Sequence, residues 1–208
     1  MQALALWLTV GALQLLTAVH GGPQQQRFVA QDITWSLSKV QNFAWENCGP
    51  PSEPAIIKSL SVSPDPIAVP GDVTVSASGA NTISLCAPLK ATVILEKKLA
   101  DVWIKVPCVD QLGSCTYDDT CTMLDSLIPP GEPCPPPLQA YGIPCHCPFK
   151  AGTYTLPSSE FFIPNMDLPS FLTNGDYKMR VVLSNGDQEM SCTKLSFSLQ
   201  AEDIHAKL

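Results

Sequence analysis

Nine cysteines and three histidines are the residues of this 208-residue chain best equipped for chemistry. The cysteines are Cys48, Cys86, Cys108, Cys115, Cys121, Cys134, Cys145, Cys147 and Cys192. Thiolates and imidazoles bind zinc, and Cys145-His146-Cys147 sets three soft ligands side by side. The Cys-x-x-Cys pairs of a zinc knuckle are missing, however. An N-terminal export signal, described below, places the chain in an oxidising compartment, where this cysteine density makes a disulfide framework. Eight cysteines form four bridges and one is left over. Spacing alone leaves roughly a hundred pairings open. No metal and no cofactor are expected.

Nor does the chain offer a catalytic constellation. His20 borders the export signal, His205 sits in a polar tail, and His146 is boxed between two cysteines. A Ser-His-Asp or Cys-His pair needs an imidazole free to reach a nucleophile. There is no Gly-x-Ser-x-Gly elbow, no His-Glu-x-x-His and no glycine-rich phosphate loop. Nineteen Asp and Glu residues leave many carboxylate pairs of the kind glycosidases use, but none stands out from solvated surface. No catalytic residue and no enzymatic activity are expected.

The elements around the cysteines are β-strands. Ile56–Val62 is a candidate strand, and Val73, Val75 and Ala77 alternate with polar residues. Ala91–Leu99 and Val102–Val106 follow. Tyr177, Met179, Val181 and Leu183 alternate with outward positions. So do Leu195, Phe197 and Leu199, with Asn185-Gly186 between the two runs as a type I′ hairpin turn. One short helix is expected over Thr120–Ile128, capped around Asp118-Asp119-Thr120 and ended by Pro129-Pro130-Gly131. It puts Cys121, Leu124 and Leu127/Ile128 on one face. Residues 131–148, dense in Pro and Cys, are expected to lack regular structure. The fold class is therefore all-β with one short helix.

The first 26 residues carry no charged side chain, and Met1–Val19 is largely apolar. Ahead of His20-Gly21-Gly22-Pro23 this is a signal peptide, 1–21, with an uncleaved anchor as the alternative. Residues 22–42 are expected to be a flexible arm, 43–200 the folded domain and 201–208 a polar tail. The net charge of −7 argues against nucleic acid as a partner. Free Asp and Glu titrate near ~3.9 and ~4.3, so repulsion from an anionic membrane fades at acid pH. Two apolar stretches fall at loops: Val102-Trp103-Ile104, and Leu168 to Leu172 with Phe171 between. Either they plug the end of the core, or they form a patch for a lipid or a partner.

Several segments, in order, resemble the ganglioside GM2 activator family. They are Pro64-Asp65-Pro66-Ile67, Trp103-Ile104-Lys105-Val106-Pro107-Cys108, Leu112-Gly113-Ser114-Cys115 and Ile128-Pro129-Pro130-Gly131-Glu132-Pro133-Cys134-Pro135. Tyr141-Gly142-Ile143-Pro144-Cys145-His146-Cys147-Pro148-Phe149-Lys150 and Asp167-Leu168-Pro169-Ser170 complete the set. The likeness runs from about Phe43 to Leu199.

The resemblance implies an antiparallel β-cup around an apolar lipid cavity, with disulfides Cys48–Cys192, Cys108–Cys115, Cys121–Cys147 and Cys134–Cys145. It implies a lipid-binding cofactor of the lysosome or of secreted fluid. Such a protein lifts gangliosides of the GM2 type from membranes and presents them to β-hexosaminidase A, with transient contact to anionic membranes at acid pH. General glycolipid or phospholipid transfer without a hydrolase is the alternative. Val102, Trp103, Ile104, Leu168, Phe171 and Leu172 become the lipid or membrane rim, with Phe171 where the family usually carries Trp. Asp72 stands in place of the family's glycosylated Asn, and no Asn-x-Ser/Thr sequon remains. Cys86 has no family partner and is expected to be a buried free thiol; exposed, it could link two chains.

Overall fold

The computed structural model describes residues 43–166 and 168–201. The expected signal peptide, arm and polar tail lie outside these, apart from Ala201. Among the described residues ten strands make two sheets. They are β1 (Ala44–Asn47), β2 (Ala55–Ser63), β3 (Ile67–Val69), β4 (Gly71–Asn81), β5 (Lys90–Leu99), β6 (Val102–Lys105), β7 (Thr116–Tyr117), β8 (Gly152–Ile163), β9 (Gly175–Asn185) and β10 (Gln188–Ala201). The larger sheet runs β1-β10-β9-β5-β6, with β3 added to β10 and β7 to β5; the smaller runs β2-β4-β8. Every pairing is antiparallel except β3 with β10.

Register assigns the faces, because residues opposite one another across a ladder share a side of the sheet. Tyr177 faces Phe197, and Met179 faces both Leu195 and Leu95. These point toward the smaller sheet, a side also marked by Asn47, whose Nδ2 donates to the carbonyl of Ile57 at 2.8 Å. The alternate positions, among them Ile94, Glu96, Lys178, Arg180 and Lys194, point away.

The apolar interior is concentrated at two ends. Ala55, Leu85, Leu89, Cys121 and Met190 form one buried cluster, and Val106, Leu172 and Tyr177 another. Between them the inward side chains Trp45, Leu95, Met179 and Leu195, and Leu60, Val62 and Val75 opposite, are only half-buried. A close-packed sandwich buries its mid-strand apolar residues most deeply. Here the two sheets stand apart as a β-cup with a partly uncovered apolar lining.

Four disulfides staple the cup: Cys48–Cys192, Cys108–Cys115, Cys121–Cys147 and Cys134–Cys145. These are the pairs the family resemblance implies. Helix α1 (Thr120–Leu127) carries buried Cys121 against the first cluster. Its N-cap is Asp119, which accepts from the Cys121 amide and also from the Leu89 amide, both at 3.0 Å. The Leu89 hydrogen bond leads the causes that hold the Asp119 carboxyl below its usual range. One carboxylate thus ends a helix and anchors the start of β5.

Four expectations need correction. A second short helix, α2 (Pro136–Ala140), stands in the segment expected to be irregular, because Pro136 sits in the first helical turn where its missing N–H costs nothing. Leu127 is 72% exposed rather than core-facing; Cys121 takes the inward position on α1. The β9–β10 loop is Gly186-Asp187, since Asn185 pairs with Gln188. Gly186 alone has positive φ, the requirement of a type II′ turn, while Asn185 turns aside to donate to the carbonyls of Cys86 and Pro88. Cys86 is an exposed free thiol. Leu85 and Leu89 occupy the buried places on either side, so the chain between them forms a ridge.

The bend before β2 holds a buried carboxyl. Glu53 is 6% exposed, and its carboxylate lies against Gly49, so a side chain there would displace it. Burial is the main cause that pushes the Glu53 carboxyl up, and Glu189 beside it adds to the effect. An acid with a raised folded pKa stabilises the fold fully below its unfolded value near ~4.3. That stabilisation is lost as pH rises through the folded value. Glu53→Gln is therefore expected to remove a gain that the native protein shows on acidification. Thermal melts of both proteins at pH 4 and pH 7 check this; a constant difference would contradict it.

Candidate functional site

The residues expected at the rim meet at the end of the cup that holds Tyr177, but strand alternation divides them. Val102 and Ile104 face Leu99 and Lys97 across the β5–β6 hairpin and lie 62% and 47% exposed. Trp103 lies on the opposite side, opposite Lys98 and beneath Lys178, whose Nζ is 4.3 Å from the ring centroid. The tryptophan is half-buried on the outer face of the sheet and is separated from its neighbours' surface.

The other half of the rim is a short 3-10 turn, Ser170–Leu172. Phe171 projects from it, 53% exposed, whereas Leu172 is buried. Leu168 and Leu172 pack with Val106 and Tyr177. Of the contacts expected for Leu172, with the bilayer or with the lipid, its burial favours the second: a one-residue step along a tight turn points Phe171 out and Leu172 in. Apolar exposure at this end comes from Val102, Ile104 and Phe171.

Lys97 ties the two halves together. Its Nζ donates to the carbonyl of Phe171 and lies 5.6 Å from the Tyr177 ring centroid. Partial burial pushes the ammonium below its usual range. Tyr177 is 1% exposed and stacks on Phe197 at 5.6 Å between centroids; burial pushes its hydroxyl up to about 12, so it stays neutral.

The stem of Lys97 passes over Gly175, where an added Cβ would lie 3.0 Å from Lys97 Cε, and Gly175 has φ +127°. Gly175→Ala is thus expected to cost about 1–3 kcal/mol from backbone conformation alone. It should also raise hydrogen exchange at the Leu172 amide, which donates to the carbonyl of Pro169. Unchanged exchange there would show that Lys97 does not hold the turn.

Among the exposed apolar residues that sequence reasoning missed are Leu99, Phe162 and Met166. Phe162 was legible: Phe161-Phe162 are consecutive in a strand, so both cannot face inward. Leu99 and Met166 carried no such signal.

The only candidate metal cluster among the described residues is Cys134, Cys145 and His146. The two sulfurs are bonded to each other, which leaves no thiolate to coordinate. His146 Nδ1 pairs with Asp125 at 2.8 Å, and its Nε2 is buried without a hydrogen-bond partner. Among the described residues no hydroxyl or thiol hydrogen-bonds to this imidazole.

The chain matches the ML domain family over residues 42–199. It is similar to the ganglioside GM2 activator of Macaca fascicularis, with 52% identity over 79% of this chain and 86% of that protein. It is likewise similar to the ganglioside GM2 activator of Mus musculus, with 51% identity over 79% of this chain and 85% of that protein. A solved structure of a Niemann-Pick type C2 protein from Japanese carpenter ant aligns with 76% of this chain and 99% of its own, at 17% identity and a TM-score of 0.37.

Proposed function

The chain belongs to the ML domain family, among its ganglioside GM2 activators, and on that premise we propose that it is a non-enzymatic lipid-binding cofactor. It lifts gangliosides of the GM2 type from membranes and presents their sugars to β-hexosaminidase A, in the lysosome or after secretion. The observation that carries this reading is the half-covered apolar lining between the two sheets.

Exposing a lipid tail to water costs about 0.8 kcal/mol per CH₂, so a hydrolase in water cannot draw the lipid out unaided. An apolar cup replaces the bilayer as solvent for the tail, and lifting the headgroup makes its glycosidic bond reachable. The rim supports the approach to the membrane. Val102, Ile104 and Phe171 enter the interface, while Leu168 and Leu172 form the wall behind them. Trp103, on the outer face, stays at the level of the headgroups. Contact is transient and strongest on anionic membranes at acid pH, where protonated carboxylates no longer repel the surface.

Extraction is tested by sedimenting vesicles that contain a fluorescent GM2 analogue, at acid pH, with and without the protein. Stoichiometric transfer of lipid to the supernatant is expected. Lipid that stays with the vesicles would refute the reading. The alternative is general glycolipid or phospholipid transfer without a hydrolase partner. That alternative would give extraction but no stimulated hydrolysis.

A further inference from the structure

The bend between β1 and β2 is where the chain crosses from one sheet to the other, since β1 pairs with β10 and β2 with β4. Glu53, Pro54 and Ala55 are buried there. The Glu53 amide closes the bend by donating to the carbonyl of Pro50 at 3.0 Å, and the Thr82 amide holds it by donating to the carbonyl of Pro54 at 2.7 Å. Ala55 belongs to the first buried cluster, together with Met190 of β10. The bend therefore seals that end of the cup.

This seal contains an ionisable group without an ordinary partner. Oε1 of Glu53 is buried and accepts no hydrogen bond. A buried carboxylate is ordinarily held by a cation, because leaving it unpaired is costly. Here the neighbouring side chain is a second carboxyl, Glu189 of β10. No cation among the described residues forms a salt bridge with either glutamate. Of the other charged residues on these elements, Glu46 of β1 and Lys194 of β10 pair with each other at 2.8 Å. Lys58 of β2 makes no salt bridge among the described residues, and Asp187 of the β9–β10 loop is a further acid. Two carboxyls in contact cannot both ionise without repulsion. One proton between them turns that repulsion into a charge-assisted hydrogen bond.

We propose that Glu53 and Glu189 form a proton-operated latch between the bend and β10. With one proton shared, the bend is clamped and that end of the cup is tight. With both ionised, a buried charge stands beside a like charge, and the bend is released toward water. Acid closes the latch and neutral pH loosens it. Burial, the main cause that pushes the Glu53 carboxyl up, acts in the same sense, and it outweighs the Cys192 amide, which favours the ionised form. Release is local. The Cys48–Cys192 bridge pins the start of the bend, and Asn47 pins its end through hydrogen bonds to the Ile57 carbonyl and amide at 2.8 and 3.2 Å. The latch does not depend on the lipid reading.

Hydrogen exchange of the full chain is followed at pH 4 and pH 7 and corrected for the intrinsic rate at each pH. Protection of the Glu53 and Thr82 amides is expected to fall about tenfold from pH 4 to pH 7. The Val106 amide, which donates to Leu95 at the other end of the cup, should keep its protection. Glu189→Gln should abolish the fall, because its side-chain amide donates to the Glu53 carboxylate at either pH. Glu189→Arg should reverse it, since a guanidinium pairs with the ionised carboxyl. Glu189 is exposed, so both variants should keep the native fold. Equal protection at both pH values in the native protein, an equal fall at Val106, or an undiminished fall in Glu189→Gln would overturn the proposal.

Discussion

Replacing Cys48 and Cys192 together by serine is expected to cost about 5 kcal/mol of stability, the largest effect of any change to the cup wall. Their sequence separation is 144 residues, so the bridge closes nearly the whole folded chain into one loop and restricts the unfolded state most. It also joins the segment after β1 to the centre of β10, and Cys192 is fully buried. For a domain of this size the melting temperature should fall by about 10–20 °C. The matching change at Cys108 and Cys115, separated by 7, should cost roughly half as much. Equal losses for the two pairs in parallel melts would show that loop closure is not the source of the stabilisation.

Val102→Ser, Ile104→Ser and Phe171→Ser combined are expected to weaken binding to acidic vesicles on the order of 10²–10³-fold. Full burial of one such side chain contributes about 1.5–3 kcal/mol, and insertion into the interface recovers part of that for each. All three are largely exposed, so the melting temperature should barely move. Leu127→Ser is the control, since Leu127 is still more exposed but lies on α1 at the other end. Vesicle flotation assays decide the matter. Undiminished binding of the triple variant, or an equal loss with Leu127→Ser, would remove the rim from the account.

Much of the strand framework was legible in the sequence because alternation at Val73–Ala77, Tyr177–Leu183 and Leu195–Leu199 admits few other structures. The N-cap of α1 was legible for a similar reason, as Asp119 and the prolines after Ile128 leave little choice. The β9–β10 turn was displaced by one residue because a tertiary demand prevailed: Asn185 is needed by the carbonyls of Cys86 and Pro88. Local pattern has no access to such a partner.

The disulfide pairing was never legible from spacing and entered through family resemblance. Cys86 was misplaced because its neighbours are apolar, whereas its exposure depends on Leu85 and Leu89 filling the adjacent interior. The rim shows the same limit at finer scale. Val102-Trp103-Ile104 is one apolar stretch in sequence but two surfaces in a strand, and Phe171-Leu172 is one stretch split by a tight turn. The link made by Lys97 was invisible beforehand, because it spans 74 residues and ends on a backbone carbonyl.

The central claim is tested most directly by ganglioside hydrolysis. Vesicles containing GM2 are incubated at acid pH with β-hexosaminidase A, with and without this protein, and the protein alone serves as the control. The account predicts little cleavage by the enzyme alone and none by the protein alone. Together they should give strong cleavage that rises with protein concentration and disappears after disulfide reduction. Cleavage unchanged by the protein, or cleavage by the protein without the enzyme, would contradict it.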